Sequence, residues 1–490
     1  MSLPDILKVK PMNTVDTMSI HTSILEPIVC NQNVCRFTLE RRGILDVNSV
    51  LQVGAVFQKN AGDAAKKHFP PIRSGGNAFI KTATLRIGAT AIATTDEYGH
   101  YQTMMRQFKS VEERVRKEGV LSGCIDGLEP SNKEDGGLQP MNLGWGRTTA
   151  GHPENNAVMT QANQIADTDT TEGNPEDVTA VFAVKLSELF PMMRSVQLPL
   201  YLIQEPVSIE IQWADKDQGV SYIREEGGGT SNTSGLKIAT TQVKFLADYL
   251  TYSDDRMAEM GAQVMSEDGL QMPYNDIILV STATSQTAHP GAGGPPVRTD
   301  VNREIGLSSR VVKNIMWSDR VLNPADARDQ LLGVYRSDAY CQPDQFNLRI
   351  NDKLMFNRPV TNEAQKNNYL AQIEGVELQV ASCEYSLDQN VEHSTVTKEI
   401  TLPSFSNAQT VEQIPISQVT LGGHAHYCGV DLITNPLVGS GTLIGQKPVT
   451  LERTIFRGLG DENNRARETL IWSKVERQFV LKSGVVSVSE

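Results

Sequence analysis

The residues in this 490-residue chain whose types and spacing best suit chemistry are His424, His426 and Cys428. They occupy alternate positions, so on a β-strand all three side chains leave one face, and imidazole and thiolate are ordinary zinc ligands. The run supplies no fourth ligand and no tight apex. A half-buried strand, whose imidazoles satisfy backbone groups or lie near a subunit boundary, accounts for it as well. No resident metal and no cofactor are expected. Asp167, Asp169, Glu172, Glu176 and Asp177 gather carboxylates, but Gly173 does not fall where a calcium loop needs its turn, and the segment reads as a solvated acidic loop. Gly445 and Lys447 are spaced unlike a phosphate-binding loop, and Pro448 stands where the Mg²⁺-binding hydroxyl belongs. A turn between strands near Leu432 and Val449 fits that stretch better. Neither a GxSxG nucleophile elbow nor an HExxH helix occurs. Glu205 and Glu210 are a candidate glycosidase pair, but nothing separates them from acids on the wet face of a strand. An enzyme is not expected.

The elements that would position these residues are mostly strands. Val207, Ile209, Ile211 and Trp213 are apolar while Ser208, Glu210 and Gln212 are polar, the period-two pattern of a strand with one buried face. Phe346, Leu348 and Ile350 alternate in the same way, as do Val376, Leu378 and Val380. Short alternating runs separated by Gly, Pro, Asn and Asp recur along the chain and predict a mainly β protein built of sandwiches or barrels. One clear helix is predicted from Tyr98 to Lys117, with Tyr101, Met104, Phe108, Val111 and Val115 forming a single apolar stripe suited to lying across a sandwich. A shorter helix is predicted over Asp254–Gln263. Residues 126–177 and 283–300 lack periodicity and are rich in turn formers, so they read as long exposed loops.

Length sets the scale at roughly two to three domains. The formal net charge is −13, and the first 42 residues hold Lys8, Lys10, Arg36, Arg41 and Arg42 against four acids. Neutralising phosphates needs a basic face, so direct nucleic-acid binding is not expected. The six cysteines are scattered with no CxxC pair and read as reduced, mostly buried thiols. No secretory signal and no apolar run long enough to span a bilayer is read, which points to folding in a cytosol-like compartment.

Several stretches together resemble one family. Leu186, Leu189, Phe190 and Pro191, then Leu198-Pro199-Leu200, then the alternating strand to Trp213, resemble a segment of double jelly-roll major capsid proteins. Phe245 through Asp248, Tyr249, Asp255 and Arg256 resemble the close of the first jelly roll in large nucleocytoplasmic DNA viruses, and Val312, Lys313 and Trp317 a strand of the second. Arg41 to Asp46, Gly76 to Gly88, and Gly429 to Gly445 resemble the capsid proteins of polinton-like viruses and their virophage-related kin. The segment after Arg256 lacks the arginine run of the large-virus proteins, and the stretch from Phe346 departs from their usual loop.

The resemblance implies two consecutive eight-stranded antiparallel jelly rolls and no enzymatic activity. It divides the chain into an N-terminal arm at 1–35, a first jelly roll at 36–255 with its exposed loop at 126–177, and a second at 256–490. Val207, Ile209, Ile211 and Trp213 are assigned to the first core and Phe346, Leu348 and Ile350 to the second. Trp317 is assigned to the second core or to a subunit boundary, and Asp248 and Arg256 to an ion pair, a helix cap or solvent. The implied partners are the chain itself as a homotrimer forming a pseudo-hexameric capsomer, neighbouring capsomers, and minor capsid or penton proteins. Outer loops are implied to meet a host receptor, the arm to tie capsomers together, and the shell to allow an internal membrane. The implied location is the virion, after synthesis in the host cytoplasm or a viral factory. A receptor- or carbohydrate-binding β-sandwich of spike or fibre type is the alternative.

Overall fold

The computed structural model describes residues 19–58, 66–69, 74–109, 121–122, 128–130, 138–140, 178–214, 222–225, 235–284, 297–321, 345–361, 363–373, 400–401, 413–414, 427–434, 439–457 and 467–489. In the first half the alternating runs become eight principal strands. They are β1 (Ser19–Leu25), β2 (Val34–Thr38), β3 (Val50–Gln58), β4 (Ile80–Ile87), β5 (Thr90–Asp96), β6 (Val178–Lys185), β7 (Val207–Trp213) and β8 (Lys244–Thr251). They pair antiparallel in two sheets, ordered β1-β8-β3-β6 and β2-β7-β4-β5. Short strands at Val29–Cys30, Ile44–Leu45 and Gly235–Ile238 add to these sheets.

The second half repeats the plan with β9 (Leu270–Thr284), β10 (Val297–Ile305), β11 (Val311–Val321), β12 (Gln345–Ile350), β13 (Lys353–Leu354), β14 (Tyr427–Asp431), β15 (Val449–Arg457) and β16 (Arg467–Lys482). Its sheets run β9-β16-β11-β14 and β10-β15-β12-β13, the first-half orders shifted by eight. Thr442–Leu443 and Val485–Ser489 are short additions. Two four-strand sheets in this order form a jelly roll, so the chain is a double jelly roll. The inward residues of each facing pair of sheets make its core. Phe37, Leu51, Leu85, Ile209 and Phe245 lie in the first, and Ile315, Trp317, Phe346, Leu451 and Ile471 in the second.

The arm expected over residues 1–35 is corrected from residue 19 onward. Ser19–Leu25 pairs along its whole length with Lys244–Thr251 as the edge strand of the first sandwich, and Cys30 lies opposite Cys35 in the next hairpin. Its large apolar residues Ile20 and Ile24 turn away from the core, so no inward alternation marks it in the sequence.

Besides the single helical turn Leu186–Leu189, two helices of eight residues or more follow first-half strands: α1 (Tyr98–Met105) and α2 (Asp254–Val264). Asp254 and Asp255 in the first turn of α2 complement its dipole. The helix predicted to Lys117 ends at Met105, continues as a 3₁₀ turn over Arg106–Phe108, and residues 110–120 lie outside the described residues. All eight residues of α1 are buried, where a single stripe was expected. The reason is its position: α1 is wedged between the two lobes instead of lying on one of them. A third helix, α3 (Glu363–Gln372), follows β13 and packs on β14.

Candidate functional site: the junction of the two lobes

Cys428 is buried in the second core, directly opposite Trp317 on the neighbouring strand. His424 and His426 lie outside the described residues, as does the acidic stretch at 167–177. Among the described residues no group of three or more His, Cys, Asp or Glu side chains could hold a metal ion. Val207, Ile209, Ile211 and Trp213 are buried in the first core, and Phe346 and Leu348 in the second, with Ile350 half-buried against it. Trp317 is buried in the second core, edge-on to Phe346 with ring centroids 4.8 Å apart. Glu205 is exposed, and Glu210 faces Arg86 at 3.5 Å across neighbouring strands. Asp248 accepts the Thr22 hydroxyl at 2.5 Å, and the Arg256 guanidinium lies over the Tyr252 ring at 5.7 Å.

The charged and aromatic side chains that sequence reasoning missed converge between the lobes. Glu97, the residue before α1, adopts a left-handed backbone (φ 49°) that turns the chain from β5 into the helix. Its carboxylate receives Arg320 of β11 at 2.8 and 3.3 Å, and the same guanidinium donates to Glu468 of β16 at 2.8 Å. His100 adds a contact at 3.6 Å from Nδ1 to Glu97. Burial alone would raise the Glu97 carboxyl, but the adjoining His100 and the charge and hydrogen bonds of Arg320 outweigh it and hold it at about 2. Burial likewise acts to lower the Arg320 pKa, and the two carboxylates overcome it. One cation from the second lobe thus clamps an acid from each lobe, in a geometry short enough to offset the cost of taking the charges out of water.

Beside this clamp lies an apolar seam. Tyr101, Met104 and Met105 of α1 pack with Ile277 of β9, Met316 of β11 and Leu470 and Trp472 of β16. The Tyr101 and Trp472 rings are 6.4 Å apart at 48°. Leu370 and Ile373, on and just after α3, complete the cluster.

The long strands β9 and β16 then serve both lobes. Ile278, Val280, Ile471 and Val475 pack in the second core, whereas Leu270, Met272, Tyr274, Phe479 and Leu481 pack with the first. Tyr274 Oη donates to the Ile92 carbonyl of β5 at 3.2 Å. Gln204 donates from its backbone N to Gly484 O at 3.0 Å and from Nε2 to Ser483 O at 3.2 Å. Asp276 receives Arg477 at 2.7 Å, yet burial dominates and pushes its carboxyl up to about 6. Burial and the neighbouring Asp276 charge push the Tyr274 hydroxyl up to about 12. A continuous apolar core across the junction resists hinge motion. What this arrangement does is mechanical: it holds two jelly rolls at a set orientation.

Neither a family model nor a curated protein matches this sequence. The double jelly-roll fold, however, recurs in solved viral structures. A chain of the Sputnik virophage, from its 3.5 Å cryo-EM structure, superposes with TM-score 0.56 at 10% identity, covering 100% of this chain and 92% of that one. PBCV-1 VP54, fitted into a reconstruction of the virophage Sputnik, gives TM-score 0.54 at 11% identity, covering 97% and 98%. The mavirus major capsid protein gives 0.51 at 9% identity, covering 100% and 95%. The likeness therefore extends over both lobes and their junction.

Proposed function

We propose that this chain is the major capsid protein of an icosahedral virus, a non-enzymatic building block whose copies associate into a shell. The observation that carries this reading is the repetition of one strand order in two lobes locked by a shared core. A rigid pair of similar lobes lets three copies present six similar corners, which is the shape needed to tile a surface from one kind of subunit. Closing strands into sandwiches also limits uncontrolled edge pairing in a protein made at high concentration. The likeness to a mavirus major capsid protein, over 100% of this chain and 95% of that one, supports the same reading.

In this reading the lobes divide at α2, and residues 19–35 belong to the first lobe. Minor capsid proteins and neighbouring capsomers are the further partners, and the loop at 126–177 is the candidate for receptor contact. The test is the mass and shape of the purified chain. A species of three times 53.8 kDa, six-sided in negative-stain images, is expected. A stable monomer that binds glycans instead would overturn the proposal in favour of a spike-type sandwich.

A further inference from the structure

Among the described residues, Cys30 and Cys35 are the thiols that lie opposite one another, while Cys428 is buried in the other lobe. They stand on the two arms of a hairpin, Val29–Cys30 and β2, joined by a tight turn over Asn31 to Val34. Asn31 N donates to the Val34 carbonyl at 2.9 Å, and Asn31 Oδ1 accepts from Asn33 N at 2.8 Å and Val34 N at 2.9 Å. Because Asn31 is bonded to Val34, the next pair along, Cys30 and Cys35, falls at the non-hydrogen-bonded position of the ladder. Opposed Cα atoms at such a position are about 4.5 Å apart, and their side chains leave the same face. A disulfide needs a Cα separation of roughly 4.4–6.8 Å, so the pair meets the requirement at its short end. Cys35 is fully buried beside Phe37, whereas Cys30 is half-buried against the same core and can be reached from solvent.

We propose that Cys30 and Cys35 are a reversible disulfide site, closed across the hairpin when the chain meets a small disulfide oxidant such as oxidised glutathione. The two thiols divide the work. Burial raises both pKa values, but Cys35 donates a hydrogen bond to Cys30, which favours the thiolate at Cys30 and keeps the proton on Cys35. The Cys30 thiolate attacks one sulfur of the oxidant, breaking its S–S bond; the released glutathione thiolate takes up the proton that Cys30 gave. Cys35 then loses its proton and attacks the Cys30 sulfur, expelling the second glutathione as a thiol. Two protein thiols are oxidised to one disulfide, and one glutathione disulfide is reduced to two thiols. A bond made at the short end of the distance range carries strain and stays reducible. The turn that it closes is a connector. Gln32 donates from Nε2 to the Ile238 carbonyl at 2.9 Å and accepts from Ile238 N at 2.8 Å, and the Asn33 carbonyl accepts from Trp213 N at 2.9 Å. Ile238 belongs to the sheet facing that of the hairpin, so the disulfide steadies a tip that ties both sheets of the first lobe together. The site stands apart from the capsid reading; under that reading it closes as a shell protein leaves a reducing cytosol for an oxidising exterior.

The experiment reduces the full chain with dithiothreitol, removes the reductant, and incubates the folded protein with glutathione disulfide. The reaction is then quenched in acid, and the chain is alkylated in denaturant and digested with trypsin. The peptide that ends at Arg36 holds both cysteines. It is expected to take no alkyl label, to be lighter by two hydrogens than its reduced form, and to accept two labels again after dithiothreitol. Cys35→Ser is expected to trap one glutathione on Cys30, because no second thiol resolves the mixed disulfide, and Cys30→Ser to leave the buried Cys35 unmodified. Hydrogen exchange around Gln32 and Ile238 is expected to slow about tenfold in the oxidised chain, since closing even a short loop restricts its opening. An unaltered chain whose peptide still takes both labels, or keeps one glutathione, overturns the proposal without reference to either variant. Exchange that is unchanged on oxidation overturns the role of the bond in holding the sheets.

Discussion

Replacing Arg320 by methionine leaves Glu97 and Glu468 facing one another across the lobe junction without the cation that now bridges them. Glu97 is held at about 2 against an ordinary 4.5, and its side chain is only 19% exposed. Each pKa unit corresponds to about 1.4 kcal/mol, so these contacts favour the folded charged state by about 3 kcal/mol. Removing one partner of a buried pair costs the same order, about 3–5 kcal/mol. The folded pKa is depressed, so this stabilisation is complete above the ordinary value of 4.5 and fades as pH falls toward about 2. Arg320→Met is therefore expected to lower unfolding free energy by about 3 kcal/mol at pH 7, with a smaller deficit near pH 3. Urea unfolding at the two pH values, followed by tryptophan fluorescence, measures both numbers. Adding Glu97→Gln and Glu468→Gln to the variant is expected to recover most of the loss at pH 7. A deficit below about 0.5 kcal/mol at pH 7, or one that is unchanged in acid, refutes the clamp.

Three further outcomes follow from the same structure. Asp276 is raised to about 6 from an ordinary 3.8, so its ionisation opposes folding above the lower value; Asp276→Asn is expected to flatten the fall in stability between pH 4 and pH 6, seen in denaturation series across that range. Arg453 makes two bonds to Asp319, at 2.9 and 2.6 Å, with both side chains almost fully buried and Thr469 completing the set. Arg453→Met is expected to cost about 3–5 kcal/mol, and the double variant with Asp319→Leu much less, as a double-mutant cycle would measure. Gly43 has φ 55°, and a Cβ there would meet the Leu250 carbonyl at 2.6 Å. Gly43→Ala is expected to destabilise by about 1–3 kcal/mol in urea titration.

The jelly-roll strands β7 and β12 are legible in the sequence because each is half-buried, and burial of one face writes itself into alternate residues. Asp254–Val264 is legible for a similar reason, since an acidic first turn followed by helical spacing is a local signal. β1 is not, because an edge strand pairs on one side only and its isoleucines face outward. The junction is equally hidden. Glu97, Arg320 and Glu468 lie on three separate elements, and no local pattern marks a charge that will be buried against another lobe.

By itself, then, the sequence determined the local states: which runs are extended, which are helical, and that the chain is mainly β with two lobes' worth of strands. Tertiary structure alone decided which strand pairs with which, that β9 and β16 feed two cores from one face, and that α1 is enclosed on every side. The physical reason is range. Alternation and helical spacing arise from a residue's immediate neighbours along the chain, whereas register, shared cores and ion clamps depend on groups up to a few hundred positions apart meeting at contact distance.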